Sequence, residues 1–276
     1  MLGTVQVRVY NRHVALPETL APLKYGRASI RIFPNAAEMG EAAAGHAARL
    51  IREAIEHRDR ARIMVATGNS QREFIGALTR QSGIDWKAVE AFHMDEYVGL
   101  PGTHPSSFRF WIRERVENKV HPGRMEYLNG TAQDIDGEIE RYSGLLEQAP
   151  IDVGFVGFGE NGHIAFNDPP VADFHDPATV KRVTLDEPCR RQQAGEGHFP
   201  NVDSVPKEAL SVTCSALFRI SAWVSCVPDA RKAQAVLNAL TGPISTACPA
   251  SIVREHPNAT VYLDEQSASL LKKERQ

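Results

Sequence analysis

No run of apolar residues in this chain approaches the roughly 18 needed to span a membrane, and its first residues, MLGTVQVRVYNRHVALPETL, lack the long apolar stretch of a secretion signal. The expectation is a soluble, cytoplasmic protein. Cysteine is scarce: Cys189, Cys214, Cys226 and Cys248 lie far apart without a C-x-x-C pair, which argues against a zinc knuckle or a redox motif and leaves free thiols. Charge of one sign is not in excess either. With 31 basic and 34 acidic residues the formal net charge is -3, too weak a field to draw in nucleic acid or an anionic membrane, so any anion site must be local. Internal repeats, low-complexity tracts and a helix-turn-helix segment are also lacking.

What is present is a chain of 276 residues, 42% hydrophobic, long enough to bury a large core and read as one domain. Short apolar strands alternate with helices whose apolar positions recur at helical spacing. Ser29-Ile-Arg-Ile-Phe is followed by a helix starting at Asn35 or Ala37 and running through Glu56, on which His46 and His57 read as surface residues. The strand at Ala61–Ala66 precedes a helix through Leu78, Val89–Tyr97 reads as one strand, and a helix spans Ile135 to Gln148. Strands at 209–215, 220–227 and 259–264 complete the set. Repeated βα order predicts an α/β fold of single-domain, Rossmann-like type, a mostly parallel sheet with helices on both faces. Residues 1–27 read as an N-terminal arm and 28–270 as the domain, in which the long polar stretch at about 171–205 reads as a lid.

The chain is organised around Ile151–Pro170, IDVGFVGFGENGHIAFNDPP. The apolar half suits a strand buried on both faces, and Gly159 and Gly162 permit a sharp turn that delivers His163 just past the strand's carboxyl end, where open α/β sheets place ligands. A tight turn whose histidine is satisfied by a nearby carbonyl is the plainer alternative. Two further strand ends converge on that crevice. Thr67-Gly68-Asn69-Ser70 is a strand, glycine turn and helix start, suited to hold a phosphate or carboxylate on backbone amides, although Asn69 or Ser70 as a simple helix cap uses the same atoms. Asp95-Glu96 ends another strand, and because adjacent side chains point to opposite faces, only one of the two should reach the crevice centre. Lys232 stands at a helix start, where a cation is unfavourable unless an anion is also present.

Taken together, TGNSQ at 67–71, MDEYVGLPGTHPSSF at 94–108, GFGENGHIAFNDP at 157–169, VPKEAL at 205–210 and CPASIVREHPNATVYLDE at 248–265 resemble the glucosamine-6-phosphate deaminase family, related to 6-phosphogluconolactonase. The resemblance spans roughly residues 30–270. It implies an aldose to ketose isomerisation of an amino sugar phosphate with loss of ammonia, with no cofactor and no metal. Asp95 would be the general base between C2 and C1, and His163 would open the sugar ring, oriented by Asn161 and Asp168. Thr67, Gly68, Asn69, Ser70, Glu96 and Lys232 would bind substrate and its phosphate. A small-molecule amino sugar phosphate is the implied partner, without nucleic acid or membrane, and homo-oligomer formation stays open. Three positions depart from the family pattern. Asp168 stands for a glutamate and Gln71 for a proline, which is expected to loosen the phosphate turn. Gly197 falls at about the place of a phosphate-binding arginine, for which Arg190, Arg191 or His198 are the candidate substitutes. A lactone hydrolase and a sugar phosphate binding protein without catalysis are the alternatives.

Overall fold

The computed structural model describes residues 23–271. Residues 1–22, most of the expected arm, lie outside it, and the remainder is no arm: β1 (Leu23–Tyr25) turns at Gly26, φ +57°, and pairs antiparallel with β2 (Ala28–Phe33). Asn35 then caps α1 (Ala36–Arg58), its Oδ1 accepting from the Glu38 amide at 2.9 Å. The order continues β3 (Ala61–Val65), α2 (Arg72–Leu78), β4 (Val89–His93), β5 (Asp95–Tyr97) and α3 (Phe108–Ile112), which passes through a π turn at Arg113–Glu117 into α4 (Asn118–Val120). Next come β6 (Arg124–Glu126), α5 (Ile135–Glu147), β7 (Val153–Phe155), β8 (Val180–Thr184), α6 (Glu187–Gly195), β9 (Glu208–Val212), α7 (Cys214–Phe218), β10 (Ala222–Val227), α8 (Ala233–Thr241) and β11 (Ala259–Asp264).

Eight strands form one sheet in the order β1-β2-β11-β10-β7-β3-β4-β6, parallel throughout except for the β1–β2 edge pair. Successive strand residues bury on opposite faces. Ile63 and Val65 of β3 pack with Ile51 of α1 and Phe74 of α2, while Met64 between them packs with Tyr142 and Leu146 of α5. Helices therefore cover both faces, as the βα order requires. Each fully buried isoleucine, such as Ile51 or Ile63, contributes about 2 kcal/mol. No helix among the described residues is long and apolar enough to cross a membrane.

Three sequence expectations are corrected. Val89–Tyr97 is not one strand: the chain leaves the main sheet at Met94, and β5 pairs antiparallel with β9 in a second sheet of order β5-β9-β8. The stretch read as a lid over 171–205 is irregular to Thr179 and regular from Val180, where β8 is an edge strand of that second sheet and α6 follows with Asp186 as its N-cap. His46 is half-buried, with Nδ1 2.9 Å from the Tyr262 hydroxyl, and burial, aided by Arg49 and Arg31, lowers its pKa to about 4. Pro249–Arg254, before β11, forms a 3-10 helix. The four cysteines are free and buried.

Candidate active site

The carboxyl ends of β3, β4, β7 and β10 open into one crevice, beside β7, where the main sheet's strand order runs outward in both directions. It is lined by the turn Thr67–Ser70, by Asp95, by Gly157–Gly159 and His163, and by Lys232. Gln192, Gln193, Glu196 and His198 close it from the side.

The turn after β7 holds the histidine through a network the sequence pattern partly announced. Asn161 Oδ1 accepts from the His163 amide at 3.0 Å, and Asn161 Nδ2 donates to Asp168 Oδ1 at 2.9 Å. His163 Nδ1 lies 2.8 Å from that same Oδ1, so the one-methylene-shorter carboxylate still reaches the ring and leaves Nε2 as the ring nitrogen free for a ligand. Burial alone would raise the Asp168 carboxyl; His163, Asn161 and Cys189 override it and hold the group below the usual carboxylate range. Asn167 anchors the turn, donating from Nδ2 to Ile164 O at 2.9 Å and Val212 O at 2.8 Å. Gly159 packs against the imidazole itself: a Cβ there would lie 2.3 Å from Cε1. Gly159→Ala is therefore expected to displace the ring and lower turnover by about 100-fold, because misplacing a reacting group by an ångström has effects of that size. Steady-state kinetics beside an unchanged circular dichroism spectrum checks this.

Across the crevice, Asp95 is 6% exposed. Burial first, and the neighbouring Glu96 charge second, push its carboxyl well above the ordinary range, with no hydrogen-bond donor to counter them. Glu96 faces away from the crevice, which corrects its assignment to substrate binding. Fully buried, it accepts from Ser107 Oγ at 2.6 Å, the Phe108 amide at 3.2 Å and the Arg109 amide at 2.9 Å, and pairs with Arg109 Nε at 3.2 Å. It thus closes the open amino end of α3. Only one acid of the pair reaches the crevice, as the strand period required. Glu96→Gln is expected to destabilise the fold by about 3 kcal/mol, since it leaves Arg109 and the α3 amides without their counter-charge; urea unfolding measures it.

In the turn after β3, Gly68 adopts φ +99°, a conformation open to glycine, which swings Asn69 and Ser70 to the crevice. Gln71 does not loosen this turn. It is fully buried and donates from Nε2 to Cys226 O and to Ser70 Oγ, both at 3.1 Å, tying the turn to β10. Lys232 is 4% exposed, and burial lowers its pKa against the raising effect of Glu196. Arg190 and Arg191 do not substitute for the missing arginine: Arg190 donates to Val202 O at 2.7 Å, and Arg191 pairs with Glu187. His198 does reach the crevice, but beside a carboxylate that the sequence did not single out. Glu196 Oε1 lies 3.7 Å from Lys232 Nζ, and His198 Nε2 lies 3.3 Å from Oε2. Burial would raise the Glu196 carboxyl; His198, Lys232 and Gln192 together bring it down to about 2.

His163, Asp168 and Cys189 each bring one potential ligand atom within 4.8 Å of the others, the one such group among the described residues. Burial, with Asp168 beside it, pushes the Cys189 thiol up and favours its neutral form. A metal there would take His163 and Asp168 away from proton transfer, so the two uses are exclusive.

Residues 34–262 match the family described as glucosamine-6-phosphate isomerases/6-phosphogluconolactonase. The chain is 34% identical over 223 residues, 80% of its own length and 82% of the relative's, to the glucosamine-6-phosphate deaminase of Bacillus thuringiensis (strain Al Hakam). Among solved structures it resembles a monomeric glucosamine-6-phosphate deaminase with a TM-score of 0.80 and 30% identity, over 87% of this chain and 99% of that one. A 6-phosphogluconolactonase from Neisseria gonorrhoeae FA 1090, described as putative, shares the fold at TM-score 0.68 and 20% identity, over 86% and 99% of the two chains.

Proposed function

The chain belongs to the family of glucosamine-6-phosphate isomerases and 6-phosphogluconolactonases, and from that premise we propose that it is an amino sugar phosphate deaminase of the glucosamine 6-phosphate type. The observation that carries this reading is the pairing, across one crevice, of a buried carboxyl of raised pKa, Asp95, with a histidine whose other ring nitrogen faces a carboxylate.

The chemistry divides between the two walls. His163 Nε2 moves a proton between the anomeric hydroxyl and the ring oxygen, opening the pyranose to its aldehyde, while Asp168 and Asn161 fix the ring's orientation. Asp95 takes the proton from C2 and returns it to C1 while a second proton passes from the amine nitrogen to O1, so the C1 aldehyde becomes a primary alcohol carbon and C2 becomes an imine. Water adds to C2, ammonia leaves, and the ketose phosphate remains: one aldose amine and one water give one ketose and one ammonia. A buried carboxylate suits the transfer between adjacent carbons because it is a stronger base than a solvated one and water is kept from the proton it carries. The Thr67–Ser70 turn and Lys232 hold the phosphate end. In this reading the protein works in the cytoplasm on a small molecule, without nucleic acid or membrane.

The test is a side-by-side assay of ammonia release from glucosamine 6-phosphate and related amino sugar phosphates, and of hydrolysis of 6-phosphogluconolactone. Ammonia with an equal amount of ketose phosphate is expected. Lactone hydrolysis without ammonia would assign the chain to the other branch of the family.

A further inference from the structure

We propose that Glu196 is a resident counter-ion of the crevice, one that a substrate phosphate must displace from Lys232, and that it thereby sets how strongly phosphorylated amino sugars are favoured over unphosphorylated ones. For the identity of the sugar this rests on the deaminase reading above; for the competition it rests on geometry alone.

Lys232 is the buried cation at the phosphate end of the crevice, and its charge is already met. The Glu196 carboxylate sits 3.7 Å away, and the two side chains are 5% and 8% exposed. One positive and one negative charge cancel, so a phosphate dianion arriving at this arrangement meets a like-charged carboxylate with no net cation to hold it. Placing like charges together in a poorly solvated site is strongly unfavourable. Phosphate and the carboxylate are therefore alternative partners of the same ammonium.

The carboxylate is held in place by contacts that do not involve Lys232. Gln192 Nε2 donates to Oε1 at 2.9 Å, and His198 Nε2 stands 3.3 Å from Oε2. Asn69 Nδ2 donates to the Glu196 carbonyl at 3.2 Å, latching the segment onto the turn after β3. The Lys232 contact itself, at 3.7 Å, is longer than a hydrogen bond. A phosphate oxygen that donors of Lys232 approach closely would thus win on geometry, provided Glu196 can withdraw. Withdrawal is a rotation of the Glu196 side chain, since its backbone is fixed by its own amide donating to Gln192 O at 2.8 Å and by the Gly197 amide donating to Ala194 O at 3.0 Å, while Gly197, φ +81°, has open space beside it. Next to the position of the expected arginine, Gly197, the chain carries a carboxylate between two glycines.

Binding of inorganic phosphate, glucosamine 6-phosphate and glucosamine is measured by calorimetry on the full chain and on Glu196→Gln, which keeps shape and removes charge; KM for glucosamine 6-phosphate is measured alongside. Expected is tighter phosphate binding and lower KM for the phosphorylated sugar, each on the order of tenfold, well below the full Coulomb repulsion of two charges a few ångströms apart because Glu196 turns away on binding, with glucosamine binding unmoved. A merely structural role would move all three ligands together. Should Glu196→Gln fold poorly, Glu196→Ala is judged by the same ratios. Phosphate binding that is unchanged or weakened in both variants overturns the proposal. Because inorganic phosphate binding needs no turnover, tightened binding without ammonia release would sink the deaminase reading and leave the competition standing, whereas ammonia release without tightening would do the reverse.

Discussion

Asp95→Asn is expected to lower ammonia release by about 10³-fold or more while raising the melting temperature of the protein. The activity loss follows from removing the one group placed to carry a proton between adjacent carbons, at the upper part of the range usual for a positioned general base. The gain in stability follows from what makes Asp95 a strong base. Its carboxyl is buried, without a hydrogen-bond donor and beside Glu96, so its folded pKa lies well above its unfolded one. A group raised in this way contributes stability that is present below the unfolded value, about 3.9, and lost as pH rises through the folded value. Above the unfolded value, burying Asp95 is thus a cost to the fold that asparagine does not carry. Melting temperatures of the two proteins should coincide below about pH 4, draw apart as pH rises toward the folded pKa of Asp95, and stay fully separated above it. The same shift sets the acid limb of the activity profile, because Asp95 acts as a base only once ionised. Full activity should appear at higher pH than an ordinary carboxylate would require.

His163→Gln is expected to lower turnover by about 10²- to 10³-fold, again within the acid–base range, but with a different signature. Glutamine cannot both give and take a proton, so ring opening reverts toward its uncatalysed rate while Asp95 remains competent. The variant should then recover activity as the fraction of open-chain sugar in solution is raised, for instance by temperature, which Asp95→Asn should not do. Asp168 supports the ring with the opposite linkage sign to Asp95: its folded pKa is lowered, so the stability it contributes is present above the unfolded value and lost as pH falls through the folded one.

Much of this site was legible because strand ends in a parallel α/β sheet share an edge, so turns at 67–70, 95 and 157–163 had to meet once the βα order was read. His163, Asn161 and Asp168 lie within eight residues, and local spacing alone brings them together. Glu96 was misplaced for a reason no pattern carries: the chain changes sheets at Met94, and the residue that faces away from the crevice finds its partners in α3, more than ten residues on. Gln71 looked like a loosened turn because its anchor, Cys226 O, is 155 residues distant. β8 was hidden within a proline-interrupted polar stretch, where Val180 and Val183 supply too little alternation to mark an edge strand. The Glu-Gly-His sequence at 196–198 was the available signal for the carboxylate at the phosphate end: two titratable residues around a glycine, where the resemblance implied an arginine.

Transfer of the C2 proton to C1 by the buried Asp95 can be followed with glucosamine 6-phosphate deuterated at C2. Expected are slower ammonia release than from the unlabelled sugar, deuterium recovered in part at C1 of the ketose phosphate, and loss of both products in Asp95→Asn. Complete washout of the label into solvent, together with an Asp95→Asn variant as fast as the parent protein, would contradict it.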